Sequence, residues 1–245
     1  MNTPMTAHQS SPDTAAVPDI SMYRYLHQAM RTADAMLVIG IESLPLDDHN
    51  RAAALATWFD GYAGELRSHH HVEDAIFFPA VMQRSTDIPV DHLTGEHEEL
   101  DRLIDALRDE LRRLADETTA NGAAQERAAS LARELQVLLT GHLDVEDNDL
   151  LPLFERLFTK AEYDELDHRA IKTVPFEQLT FTVPWLMATL DPADAEHLRA
   201  TAKLAMRLLW RATRRRHDRL VRRAFGDESS IYVEARARTK AAGLR

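Results

Sequence analysis

The chain of 245 residues contains no cysteine and only 8 glycines. Without cysteine there is no disulfide, no thiolate metal site and no cysteine nucleophile. No apolar run approaches the roughly 18 residues of a membrane-spanning helix, and the first residues lack the basic start and apolar stretch of a signal peptide. These absences predict a cytoplasmic protein that does not cross a membrane.

Hydrophobic residues make up 44% of the chain, enough for a sizeable core. Scarce glycine with abundant Ala, Leu, Arg and Glu favours α-helices. Residues 1–19 are rich in Ser, Thr, Pro and Ala, which predicts a disordered tail. We expect a helical domain over residues 20–158, a helical extension packed on it over 159–226, and a loosely ordered basic tail over 227–245.

Charge is distributed unevenly about a net value of −11. Residues 1–195 carry 15 Lys/Arg against 35 Asp/Glu, whereas residues 196–245 carry 14 against 5. The simplest interpretation is that the basic end folds onto the acidic body of its own chain or of a neighbouring subunit. Contact with a nucleic acid or a membrane surface is the alternative. Aromatic residues do not alternate with these arginines, which disfavours nucleic-acid binding.

Four long segments have the apolar periodicity of amphipathic helices, at about residues 21–43, 51–84, 89–119 and 125–158. Ser21 is expected to cap the first helix and Pro79 to kink or end the second. Asn121-Gly122 is a stop signal after the third. Short connections between long amphipathic helices predict an all-α, up-down four-helix bundle.

The rest of the chain predicts an additional C-terminal helical layer. A short helix is expected over residues 160–173, and one final helix over 192–225. Between them, residues 174–190 contain Pro175 and Pro184 and are expected to pack on the bundle as a broken helix or an ordered loop. The apolar face of the final helix is formed by Leu198, Ala202, Met206, Leu209, Leu220 and Val221.

Two segments are near copies of each other. Residues 69–79 read HHHVEDAIFFP, and residues 142–152 read HLDVEDNDLLP. In each, a Glu follows a His by four residues, which is about one helical turn, so the two side chains share a face. Two such pairs facing each other would present two imidazoles and two carboxylates, the donors that suit a pair of iron or manganese ions.

Each predicted bundle helix carries a histidine on or near its apolar face. One such histidine alone is more often a hydrogen-bonded core residue than a ligand. Glu73 and Glu146, if buried without a partner, would each cost several kcal/mol, a cost that a cation removes. The pattern therefore predicts a metal site whose ligands are His27, His69, Glu73, His97, His142 and Glu146.

The arrangement H…HxxxE…H…HxxxE, over about residues 20–158, resembles the hemerythrin-like or HHE cation-binding domain. The resemblance implies a four-helix bundle that holds two iron ions, bridged by an oxo or hydroxo group and by carboxylates. It assigns Glu73 and Glu146 as the bridging ligands and the four histidines as terminal ligands. Iron rests on the resemblance alone, because the same donors accept manganese or zinc.

The sequence departs from oxygen-carrying hemerythrins, which have a second histidine one turn away on the third helix. Here Leu93 and Asp101 stand at that spacing from His97. The fifth histidine is therefore missing, or replaced by Asp101, water or a residue from elsewhere. The pattern looks more like that of actinobacterial, including mycobacterial, hemerythrin-like proteins, a group associated with peroxide breakdown and with responses to oxidants or nitric oxide.

Three functions are compatible with this resemblance. The first is catalase-like removal of hydrogen peroxide, and the second is a module that binds or senses dioxygen, nitric oxide or iron without turnover. The third is a structural role for the metal. Open coordination positions favour the first two. The expected partners are these small ligands, with a second copy of the chain or another protein at the basic C-terminal helix.

Two residues near the predicted ligands can each be interpreted in two ways. Tyr62 lies two turns before His69 and is either a core tyrosine or a residue of the ligand pocket. Asp34 lies two turns after His27 and either orients a ligand histidine or faces solvent.

Four further residues are not expected to be ligands. His70 and His71 point about 100° and 200° away from His69, which predicts positions on the outer face or behind the ligands. His92 and Glu96 repeat the His-x-x-x-Glu spacing, but their line is offset from the apolar stripe, so they are expected on the surface.

Overall fold

The computed structural model describes residues 17–86, 90–116 and 122–243, and these ranges contain helices and no strand. The predicted disordered tail lies almost wholly outside them, as residues 1–16 are not described. The helices are α1 (Ser21–Glu42), α2 (His49–Val72), α3 (Phe78–Met82), α4 (Val90–Ala115), α5 (Gly122–Val145), α6 (Leu151–Leu157), α7 (Lys160–Thr173), α8 (Phe176–Thr189), α9 (Pro192–Thr201), α10 (Leu204–Phe225) and α11 (Glu228–Ala241). None of the helices in these ranges is long and apolar enough to cross a bilayer.

Helices α1, α2, α4 and α5 form a four-helix bundle, in which α4 packs against α2 and α5, and α5 also packs against α1. The predicted ligands lie near the start of α1 and α4 but near the end of α2 and α5, and all meet at one end of the bundle. Successive helices must therefore run in opposite directions. The predicted all-α, up-down bundle is confirmed.

The predicted stripe on α4 forms part of the buried core, together with large residues from α1, α2 and α8. Leu93, Leu100, Ile104, Leu107 and Leu111 are all completely buried. Full burial of each such side chain contributes about 1.5–3 kcal/mol relative to exposure. Apolar periodicity therefore identified the buried face of this helix correctly, because that face supplies most of the packing.

Two π-helical turns, Glu73–Phe77 and Glu146–Leu150, connect α2 to α3 and α5 to α6. In each, the amide of the residue after the turn donates to the carbonyl of the glutamate five residues earlier. Pro79 and Pro152 come two residues after these turns. A proline has no N–H and its ring crowds the carbonyl four residues before it, and the wider turn relieves both problems. The predicted second helix is therefore formed by α2, the π-helical turn and α3 in succession, and it continues past Pro79 to Met82.

Several predicted helix ends were wrong. Ile20, not Ser21, is the N-cap of α1, and the Ser21 amide donates to Asp19 Oδ1 at 3.1 Å. Helix α4 ends at Ala115, before the predicted end. Gly122 opens α5 instead of terminating the preceding helix. Residues 87–89 and 117–121, which include the predicted start and end of the third helix, lie outside the described residues.

The expected break in residues 174–190 does not occur. Helix α8 runs continuously with Pro184 inside it, and it packs on α1, α2 and α10. An internal proline costs about 3 kcal/mol, but Trp185 and Leu186 are buried against the bundle, and their burial offsets that cost. Helix α8 approaches α2 so closely that a β-carbon added at Gly61 would overlap the ring of Phe181.

The segment predicted as one final helix forms two helices. It divides at Ala202 and Lys203, whose backbone is extended, into α9 and α10. Of its predicted apolar face, Leu198 and Val221 are buried, whereas Met206 and Leu209 are half-buried.

Residues 227–245 were expected to be loosely ordered, but residues 228–241 form helix α11, which packs along α1. Its contact surface includes the buried side chains Ile231, Tyr232 and Ala235. Lys240 also pairs with Asp191 at 3.0 Å. The apolar residues at helical spacing explain why this segment is ordered.

Candidate metal centre

The structure brings all six predicted ligands together at one end of the bundle. His27 comes from α1, His69 from the end of α2, His97 from α4 and His142 from the end of α5, and each glutamate opens a π-helical turn. All six side chains are buried. Glutamate and histidine one turn apart point the same way, as the spacing required.

One group of possible ligands consists of His27, His69, Glu73 and Glu146, whose donor atoms lie within 4.8 Å of one another. His69 Nε2 lies 2.9 Å from Glu73 Oε1. His27 Nε2 lies 3.3 Å from Glu146 Oε2, and His69 Nε2 lies 3.9 Å from the same oxygen. Two imidazoles and two carboxylates therefore converge on one point.

A second group consists of Glu73, His97, His142 and Glu146, again within 4.8 Å. His97 Nε2 lies 3.4 Å from Glu73 Oε2, and His142 Nε2 lies 3.5 Å from Glu146 Oε1. Each glutamate thus directs one oxygen to one pair of histidines and its other oxygen to the other pair. This is the geometry of two adjacent cation positions that share two bridging carboxylates.

Five side-chain atoms at the centre lack a hydrogen-bond partner among the described residues. His27 Nε2, His69 Nε2, Glu73 Oε2 and both carboxylate oxygens of Glu146 are buried without a hydrogen bond to any described residue. Burial and the neighbouring Glu73 carboxylate raise the pKa of Glu146 well above its usual range. Burial acts on Glu73 in the same direction, but the adjacent His69 and His97 outweigh it and lower its pKa well below the usual range.

Two buried carboxylates this close cannot both ionise without compensation. A pair of divalent or trivalent cations would supply that compensation and would satisfy the unpartnered atoms. The donor set, with two imidazoles and two carboxylate oxygens on each side, suits iron, manganese or zinc. The residues present therefore fit a dinuclear centre.

Carboxylates behind the ligands hold three of the four imidazoles by their other nitrogen. Nδ1 of His27 donates to Asp147 at 2.8 Å, and Nδ1 of His142 donates to Glu96 at 3.0 Å. Asp74 similarly accepts from His97 Nδ1 at 3.1 Å. These contacts leave Nε2 of each ring facing the centre and increase its basicity as a ligand.

Two of the residues around the ligands occupy positions that the sequence did not predict. Glu96 was expected on the surface, but it is mostly buried against His142, and only its partner His92 is exposed. Asp34 orients no histidine and instead accepts a hydrogen bond of 2.8 Å from the hydroxyl of Tyr62. Asp34 lies two turns beyond His27 on α1, and at that position its side chain is buried in the bundle core.

Tyr62 and Asp101 both lie away from the centre. Tyr62 is a completely buried core residue whose hydroxyl also donates to the carbonyl of Met30, and it does not line the cavity at His69. Asp101 does not replace the missing fifth histidine, because it is half-exposed and pairs with Arg67 at 2.9 Å.

Tyr23 is a site residue that the sequence analysis missed. Its hydroxyl donates to Glu73 Oε1, and its ring contacts those of His27 and His69 at centroid distances of 4.9 and 5.5 Å. Burial raises its pKa well above the usual range, so the phenol is protonated and acts as a donor. Its position one turn before His27 was the available signal.

A cavity of about 110 Å³ reaches the centre from the side covered by α7. Tyr23 and His69 are among its lining residues, and Phe77 and Tyr163 contribute to its largely apolar wall. A space of this size admits a molecule of a few atoms and excludes a large substrate.

Comparison with known proteins agrees with this geometry. Residues 19–154 match the hemerythrin HHE cation-binding domain. The zinc finger protein BRUTUS of Arabidopsis thaliana is 25% identical over 171 residues, which is 58% of this chain but 14% of that protein. The chain therefore corresponds to about a seventh of that relative's length. No solved structure matches the chain significantly. A family match over residues 19–154, more than half of the chain, establishes that the chain belongs to the hemerythrin HHE cation-binding family.

Proposed function

We propose that this chain holds two iron ions and decomposes hydrogen peroxide, in a catalase-like reaction that protects against oxidants. The observation that carries the proposal is the pair of bridging glutamates, each with one oxygen toward each histidine pair. Iron comes from the family, and manganese or zinc fits the same donors. Bound there, two iron ions would supply the electrons exchanged with an oxygen–oxygen bond.

The number of protein donors favours reactivity over a purely structural metal. Each cation position receives two imidazole nitrogens and one oxygen from each glutamate. Four donors leave room in the six-coordinate shell that iron commonly adopts, so small molecules have positions to occupy. A metal that only stabilised the bundle would be expected in a closed shell.

The surrounding residues would restrict access and position protons. Phe77 and Phe154 pack against the ring of Tyr23 and keep bulk water from the site. The Tyr23 hydroxyl, which donates to Glu73, places a neutral donor from α1 beside the centre. The cavity of about 110 Å³ beside His69 suits hydrogen peroxide, dioxygen or nitric oxide.

The test is oxygen release from peroxide by the iron-loaded chain, two peroxides giving one dioxygen and two waters. We expect His142→Ala and Glu73→Ala to lose this activity, and His71→Ala, an exposed neighbour of the ligands, to retain it. Peroxide left intact by protein that contains two irons per chain would overturn the enzymatic proposal.

A second candidate is a binding or sensing module for dioxygen, nitric oxide or iron. It is favoured by one contact between the site and the C-terminal layer. Glu65, one turn before His69, lines the cavity and accepts a hydrogen bond from Thr182 of α8. Ligand binding at His69 would thus be transmitted to α8, and a protein partner at the basic helix α10 would be the recipient. This candidate predicts a spectral change on gas binding without turnover.

A further inference from the structure

His70, the neighbour of the ligand His69, does not lie on the outer face. Its side chain is buried, with 4% of its surface exposed, whereas the next residue, His71, is exposed. The ring of His70 stacks on that of His97, with centroids 4.3 Å apart and planes within 11°. It also meets the ring of His142 edge-on at 5.7 Å.

Neither nitrogen of the His70 ring has a hydrogen-bond partner among the described residues. Leaving a buried polar group unsatisfied costs about 1–3 kcal/mol. Three of the four histidines assigned as ligands, in contrast, have Nδ1 tied to a carboxylate and only Nε2 facing the centre. A buried imidazole with both nitrogens unpartnered, next to a metal centre, requires an explanation.

The donor atoms of His70, His97 and His142 lie within 4.8 Å of one another. Two of these three residues, His97 and His142, also belong to the second group of possible ligands described above. Asp101, the substitute that the sequence offered, is occupied by Arg67. His70 is therefore the buried, unpartnered donor available to that position within the described part of the chain.

We propose that His70 is a direct ligand of the metal ion held by His97 and His142, a fifth histidine supplied by α2 instead of by α4. The proposal rests on the dinuclear centre proposed above. With His70 bound, three histidines would hold one metal ion, and only His27 and His69 would hold the other. Because parallel imidazole planes cannot both contain the same ion, metal binding must turn one of the two stacked rings.

One consequence concerns where a small molecule binds. With His70 ligated, the ion at His27 and His69 is the less saturated of the two. The cavity of about 110 Å³ opens on His69, on that same side. Exogenous ligands should therefore bind at the His27/His69 position.

The first test uses His70→Cys in the full chain, which has no other cysteine. After loading with iron and oxidation, we expect a thiolate-to-iron charge-transfer band in the visible spectrum. His71→Cys, one position along and exposed, is the matched control and should give no such band. A histidine that only stacks on His97 predicts identical, bandless spectra for the two variants.

The second test uses His70→Ala and Mössbauer spectroscopy of the ⁵⁷Fe-loaded protein. The natural chain should show two inequivalent iron sites in equal amounts, and the variant should change one of them, with recovery on adding free imidazole. Affinity for one of the two ions should fall by about tenfold or more, because even supporting residues behind a ligand contribute that much. Circular dichroism checks that the variant is folded, and His70→Asn replaces it if it is not.

The outcomes separate the two proposals. Two irons per chain, with spectra unaffected by His70→Ala and no band in His70→Cys, would overturn the role of His70 and leave the dinuclear centre standing. A natural chain that cannot hold two metal ions would overturn both.

Discussion

Asp74 lies 3.1 Å from Nδ1 of His97, a residue on a different helix from its own. Asp147, at the equivalent position of the second repeat, makes the corresponding contact with His27 at 2.8 Å. Each Glu-Asp pair therefore serves two purposes. The glutamate is placed to bridge two cation positions, and the aspartate accepts a hydrogen bond from a histidine contributed by another helix. The duplicated sequence therefore encodes a duplicated support as well as duplicated candidate ligands.

This relationship predicts that Asp74→Asn and Asp147→Asn weaken metal binding without removing a ligand. Loss of a carboxylate behind a ligand histidine lowers affinity by about 10–100-fold. Competition with a chelator of known affinity measures the change. Asp149→Asn, an exposed residue of the same π-helical turn, is the control and should bind metal normally. Equal affinities for all three variants would contradict the role assigned to these aspartates.

Glu146→Gln should change stability in opposite directions with and without metal. In the metal-free chain the substitution removes one of two facing buried carboxylates. Burial is the main cause of the raised pKa of Glu146, and repulsion from the Glu73 carboxylate is the second cause. The melting temperature of the metal-free variant should therefore rise at pH 8. Its gain on metal loading should shrink, because a bridging ligand is weakened. Exposed Glu155→Gln should alter neither quantity.

Asp34 should make stability depend on pH. Burial raises its pKa from the ordinary 3.8 to about 7, an effect that the hydrogen bond from Tyr62 opposes. The folded state therefore holds a proton that the unfolded state has released between about pH 4 and 7. This contribution to stability is complete below pH 4 and is lost as the pH rises through 7. The total is on the order of 4 kcal/mol, since each unit of pKa change corresponds to about 1.4 kcal/mol.

The variant Asp34→Asn tests that dependence. It should resemble the natural chain at pH 4 and be more stable than it at pH 8, as measured by urea unfolding across the interval. Asp109→Asn, at an exposed helical position, provides the reference for an ordinary aspartate. A difference between Asp34→Asn and the natural chain that does not grow with pH would show that burial has little effect on this group.

Gly61→Ala should loosen the C-terminal layer. The added β-carbon would overlap the Phe181 ring, so either that ring or the whole of α8 must shift away from α2. We expect destabilisation by about 1–3 kcal/mol, the usual cost of overpacking. Gly141→Ala is a matched control, since a β-carbon there meets nothing within 4 Å. It should stabilise the helix by about 0.5–1 kcal/mol, because alanine is the better helix former. Thermal melts of both variants decide the comparison.

The sequence by itself predicted the four-helix bundle and the six side chains that converge at one end of it. Apolar periodicity located four long helices, and the His-x-x-x-Glu spacing placed donors on single faces, because both depend only on the geometry of one helix. The order of the six ligands along the chain was enough to indicate the family. The ordered helix α11 and the continuous helix α8 escaped prediction, because their stability comes from packing on α1 and α2 and not from local signals.

Only the tertiary structure decided which donors meet. Periodicity left His70 either on the outer face or behind the ligands and placed Glu96 on the surface, and in the folded chain both are packed against His142 from neighbouring helices. Tyr23 likewise acquires its role through a residue 50 positions away. Whether a polar side chain faces a metal, a partner or solvent depends on the element packed against it. That element comes from a distant part of the chain, which no local pattern specifies.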